Sequence, residues 1–150
     1  SIAAIIIHDR LKGFEINGEE LHTFANNSIS QAAALKQIYI IERDDILDNT
    51  NFVGSHIGDR LRSMQSEFPE IGDVRQVGLH IGVELVENPK TKEPLGKASE
   101  IRTEALKRGL ILGTAGFRKH ILKIKPPLIT TLEEADEICD IFHDTLKVTL

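Results

Sequence analysis

Two stretches of this 150-residue chain place polar and charged side chains where they could do chemistry. The first is His22-Thr23-Phe24-Ala25-Asn26-Asn27-Ser28, which stands directly before an alanine-containing helix expected from about Ile29 to Glu42. Asn26, Asn27 and Ser28 are residue types that cap helix N-termini, and the positive end of the helix dipole points back at them. With Thr23 and the free amides of the first turn they form a candidate phosphate or carboxylate site; ordinary capping without a ligand is the alternative. The second stretch is His-Ile-Leu-Lys-Ile-Lys, residues 120–125, where strand alternation sets Leu122 and Ile124 on one face and Lys123 and Lys125 on the other. Paired ammonium groups there serve either as an anion anchor in a cleft or as a guard on an exposed edge strand.

Other reactive types read as structural. His56 lies among polar positions of a helix with no ligand partner four residues on, so it is expected to be solvated, and no metal site is indicated. Cys139 falls in the apolar stripe of the last helix and behaves as a small packed hydrophobe.

The elements that must position these residues follow from hydrophobic periodicity. Asp73 to Val86 alternates with a period of two, Val77, Leu79, Ile81, Val83 and Leu85 against Gln76, Gly78, His80, Gly82 and Glu84. This predicts one long strand with one face on a core. Gly78 and Gly82 fall on the opposite face, where another backbone or a bound molecule can approach. Ile2 to Ile7 reads as a strand buried on both faces, whose sheet neighbours come from sequence absent here. In the helix at 29–42, Ile29, Ala32, Ala33, Ile38 and Ile41 suggest a buried side. Ile46, Val53, Ile57, Leu61, Met64 and Phe68 mark a long amphipathic helix, closed by Pro69 and Gly72. Residues 87–94 make a hairpin-like connection, Ala98 to Arg108 a helix stopped by Gly109, Leu110 to Leu112 a short strand, Gly113 to Gly116 a turn and His120 to Lys125 a strand. Thr131-Leu132-Glu133-Glu134 is a capping box, followed by a stripe of Ala135, Ile138, Cys139, Phe142 and Leu146.

Composition narrows the class. The net charge of -5 is spread along the chain without a basic block, which argues against nucleic acid as a partner. No apolar run reaches the ~20 residues of a membrane span. A lone cysteine fits a reducing, cytoplasmic setting. The chain opens on Ser1 and is read as a piece of a longer protein.

Taken in order, T-F-A-N-N-S before an alanine-containing helix, then I-G-D-V-R-Q-V-G-L-H-I-G-V-E-L, then A-L-K-R-G-L-I-L, then I-L-K-I-K-P-P-L-I-T and an acidic final helix, the sequence resembles the last third of class III aminotransferases. The resemblance implies an α/β protein of the fold shared by most pyridoxal-phosphate aminotransferases. Residues 1–44 would end the large cofactor-binding domain, and 45–150 would form a small α+β domain with an antiparallel sheet covered by helices. It implies pyridoxal phosphate as cofactor, amino acid and 2-oxo acid as substrates, and a homodimer with its active site at the interface. Thr23 matches a threonine that contacts the cofactor phosphate of the neighbouring subunit. Lys123 matches the position where many members carry an arginine that clamps the substrate carboxylate; lysine supplies the charge without the planar fork. The Schiff-base lysine, the aspartate at the ring nitrogen and the phosphate loop would lie upstream of Ser1, so no catalytic residue is assigned and the piece alone is not expected to be active. Members with lysine at this point include relatives that resemble phospholyases, which keeps a phospholyase or epimerase open, beside a non-catalytic α+β dimerisation module.

Overall fold

In a computed structural model of the chain, the alternating run at 73–86 is two strands rather than one. Strand β1 (Ile71–Val77) turns back through Gly78-Leu79 into β2 (His80–Asn88), with Val77 paired to His80. Gly78 has φ +52° and is the first of the two turn residues, the position where a type II′ hairpin turn takes glycine. A period of two passes through such a turn without a break, which is why the reversal is silent in the pattern. The consequence is that Val77, expected inside, is 83% exposed, whereas Leu79, Ile81, Val83 and Leu85 are buried.

The structure describes residues 2–4, 6, 8–11 and 27–150, which fall into two compact units, Ser1–Asp44 and Asp45–Leu150. In the first, α1 (Ser28–Arg43) starts at Asn27, whose side-chain oxygen accepts from the Ser30 amide at 2.9 Å. No residue of α1 is buried, and Ile29, Leu35, Ile38 and Tyr39 are exposed, contrary to the expected buried side. The apolar spacing has no second layer to meet among the described residues of its own unit. The same holds for the expected first strand. Ile2, Ala3, Ala4 and Ile6 are exposed and in no strand, since a strand needs a hydrogen-bonding neighbour and none is present among the described residues.

The second unit is a sheet in the order β1-β2-β5-β4, with β4 at Gly113–Ala115 and β5 at Ile121–Ile124, antiparallel throughout, and the short β3 (Glu93–Pro94) pairs with β2 at Val86 and Asn88. Helices α2 (Ile46–Ser63), α3 (Ala98–Lys107) and α4 (Leu132–Thr149) supply the core partners of the sheet. The α2 stripe behaves as its spacing predicts, because Ile46, Val53, Ile57, Leu61, Met64 and Phe68 are all buried. Gly109, at φ +94°, ends α3. On α4 the capping box is complete, with Thr131 accepting from the Glu134 amide and Glu134 from that of Thr131. A bulge between Ile71 and Asp73 turns both Ile71 and Val74 inward.

Strand β4 (Gly113–Ala115) occupies the segment expected to be a turn, while Leu110 to Leu112, expected to be a strand, is in none. Leu112 is buried as the chain enters the sheet, and the real turn lies at 116–119, ahead of β5 (Ile121–Ile124). Small residues such as Gly113 and Ala115 carry little strand propensity; they are held by pairing with β5.

Candidate functional site

Strand β5 is interior, paired with β2 on one side and β4 on the other. Leu122 and Ile124 are buried, and Lys123 projects from the opposite face. The edge-guard reading of Lys123 therefore fails, because a strand whose backbone groups are paired on both sides has no open edge to protect.

Register places two rows of residues on this outer face. One runs Arg75, Gly82, Lys123, Gly113 across β1, β2, β5 and β4; the next runs Asp73, Glu84, Ile121, Ala115. Arg75 donates to Asp73 at 2.9 Å and to Glu84 at 2.6 Å. Glu84 also meets His120 Nε2 at 3.4 Å. The Arg75 guanidinium, with a lesser contribution from His120, holds the Glu84 carboxyl below the usual carboxylate range against the opposing effect of burial. Arg75 is thus committed to two carboxylates. Lys123 forms no ion pair or hydrogen bond among the described residues, so its ammonium is the uncommitted charge of its row.

Lys123 has glycine on both flanks, and its stem leans to one of them. An ideal Cβ on Gly113 would stand 2.9 Å from Lys123 Cε and 3.7 Å from Nζ, whereas one on Gly82 would meet only Ile121, at 3.4 Å. The side chain therefore lies over β4. Lys125 follows the last residue of β5 and is exposed.

The other reactive residues are accounted for by packing. His56 is partly open to solvent, as expected, but it also has a partner: its Nε2 meets Asp136 Oδ1 at 2.7 Å, and Arg60 binds Asp136 at 2.8 Å and Asp140 at 2.7 Å, joining α2 to α4. These partners are about eighty positions away in sequence, beyond any local pattern. Cys139 is fully buried, and burial pushes its thiol up to about 11. Gly78 serves a backbone approach rather than a ligand, since its carbonyl abuts Gly54 of α2. Thr23 lies outside the described residues. The Glu84, Arg75 and His120 group and the place of Gly113 were missed from sequence; Glu84 showed only as a polar position in an alternation, and cross-strand register alone brings its partners to it.

The class III aminotransferase family model matches residues 1–146. The chain belongs to the class III aminotransferase family. An alanine–glyoxylate aminotransferase 2 homolog 2 of Arabidopsis thaliana is 31% identical over 136 residues, 90% of this chain and 28% of that protein. An alanine/serine racemase of Pyrococcus horikoshii is 37% identical, covering 89% of this chain and 28% of its own length. Among solved structures, an amine transaminase from an uncultivated Pseudomonas species in its pyridoxal-phosphate-bound form superposes with a TM-score of 0.82 at 26% identity, over 93% of this chain and 32% of that one. This class III chain thus spans about 28% of the length of the curated relatives it matches. Its α/β architecture is the aminotransferase fold seen over that portion. The described residues do not by themselves make a cradle for pyridoxal phosphate: Thr23 is outside them, and the Asn27 side chain is taken up by its own helix.

Proposed function

We propose that this chain is the C-terminal portion of a pyridoxal-phosphate-dependent transaminase that moves an amino group from an amino acid or amine to a 2-oxo acid, and that Lys123 anchors the anionic group of the substrate. One observation carries the site assignment: Lys123 stands mid-sheet between two glycines, with its charge uncommitted among the described residues, while neighbouring Arg75 is neutralised. An ammonium held this way attracts a carboxylate or phosphate without first breaking an ion pair. Family membership supports the reaction class. Thr23 is proposed as a contact to the cofactor phosphate across a homodimer interface. Residues 1–44 are proposed as the end of the large domain, 45–150 as the small domain. Among the described residues no helix is long and apolar enough to cross a membrane. A cytoplasmic parent is the reading that a lone buried cysteine supports.

The test is Lys123→Ala in the full-length parent. Loss of a charged contact should lower kcat/KM for an anionic donor by about 2 kcal/mol with folding intact. Lys125→Ala should change it much less. Unchanged kinetics in Lys123→Ala would remove the anchor role. Epimerisation is a second reading, favoured by the 37% identity to a racemase. Inversion of a single enantiomer without any 2-oxo acid would select it over transfer.

A further inference from the structure

We infer that Gly113 is a positioning residue: by having no side chain it fixes where the Lys123 ammonium stands, and so tunes selection for anionic over uncharged donors. The inference rests on Lys123 being the anion anchor. It deepens that reading by naming what holds the anchor in place.

The two glycines beside Lys123 are not equivalent. Both are its direct cross-strand partners, so a side chain on either would rise on the same face as the lysine. Yet a Cβ at Gly82 would make only an ordinary contact with Ile121. A Cβ at Gly113 would stand 2.9 Å from Lys123 Cε and 3.5 Å from its Cβ, too close for the present side-chain path. The atom that must yield is near the end of a flexible stem, not backbone. The sheet can therefore accept the methyl group while the ammonium is displaced, which separates an effect on anion position from one on folding. Gly113 has no positive φ, so alanine meets no backbone penalty there. Nothing local in the sequence marks this glycine, because it takes its role from a partner ten positions away.

The experiment compares Gly113→Ala, Gly82→Ala and Lys123→Ala in the full-length holoenzyme. The probes are an amino-acid donor and the amine of equal length that lacks the carboxylate. Gly113→Ala should raise KM for the amino acid about tenfold, as expected when a charged contact is weakened, and leave kcat and the KM for the amine near their starting values. Gly82→Ala should move neither. In a Lys123→Ala background, where the stem is gone, Gly113→Ala should have no further effect on KM. If Lys123→Ala raises KM and Gly113→Ala does not, the positioning role is wrong and the anchor stands. If Lys123→Ala itself has no effect, the anchor falls and this inference with it. Equal effects of the two glycine variants would mean a general disturbance of the sheet and would overturn the proposal. Should Gly113→Ala fold poorly, its thermal midpoint is compared with that of Gly113→Ala/Lys123→Ala. Recovery in the double variant supports the steric coupling, and no recovery refutes it.

Discussion

Arg75 and Glu84 face each other diagonally across the β1–β2 hairpin and meet at 2.6 Å, with Arg75 also bound to Asp73. Glu84 is the more enclosed member, its side chain 20% exposed against 54% for Arg75. Its folded pKa is depressed chiefly by Arg75, so the pair stabilises the fold above the unfolded glutamate value of about 4.3. That contribution is lost as pH falls through the lower folded value. Because Arg75 is half open to solvent, the expected worth is only about 1 kcal/mol. Glu84→Gln should therefore lower stability by about that amount in urea unfolding at pH 7, and by progressively less at a pH acid enough to protonate the wild-type carboxyl in the fold. A loss of equal size at both pH values would show that shape, not charge, is what Glu84 contributes.

The buried Cys139 makes a sharper pH statement. With its thiol at about 11 and no exposure, it holds little thiolate near neutrality and offers no path to a reagent. An alkylating agent at pH 7.5 should leave it unmodified in the folded chain and label it completely in denaturant. Labelling of the native protein at the rate of a free thiol would refute its assignment as a core residue.

At the start of α4, Thr131→Ala removes the side chain that accepts from the Glu134 amide. The cost should be about 1 kcal/mol, the usual worth of an N-cap, read as a fall in the urea midpoint. Thr131→Ser should restore most of it, because the hydroxyl rather than the methyl group does the capping.

What could be read from sequence divides along a physical line. Patterns that repeat within one element were legible: the stripe from Ile46 to Phe68 is buried, and the capping box at Thr131 is formed. Features that depend on a partner were not. The reversal at Gly78 preserves alternation, so the pattern alone puts Val77 on the wrong face. Strand β4 exists because β5 pairs with it, and Gly113-Thr114-Ala115 resembles a turn when read alone. His56 reads as solvated because its partner, Asp136, reaches it from α4, eighty positions along the chain. The position of Lys123 followed from alternation, but its interior strand and its contact with Gly113 needed the register.

Of the glycines in the second unit, Gly54 on α2 leaves the least room for a side chain, because it packs against the backbone of Gly78 in the hairpin turn. A Cβ on Gly54 would lie 2.2 Å from the Gly78 carbonyl oxygen and 2.4 Å from its carbon. Both glycines are buried, and neither neighbour is a side-chain end that can swing away. Helix and hairpin would have to separate, which also disturbs Val53 and Leu79, buried beside them in the chain. Gly54→Ala should thus cost about 1–3 kcal/mol, the range for overpacking a closed core, although alanine is the better helix former at an open position. Gly96→Ala is the matched control, since a Cβ there meets nothing within 4 Å. Thermal midpoints of the two variants decide the matter. A clear drop for Gly54→Ala beside no loss for Gly96→Ala is expected, and equal midpoints would mean that the helix and hairpin are not in contact at this point.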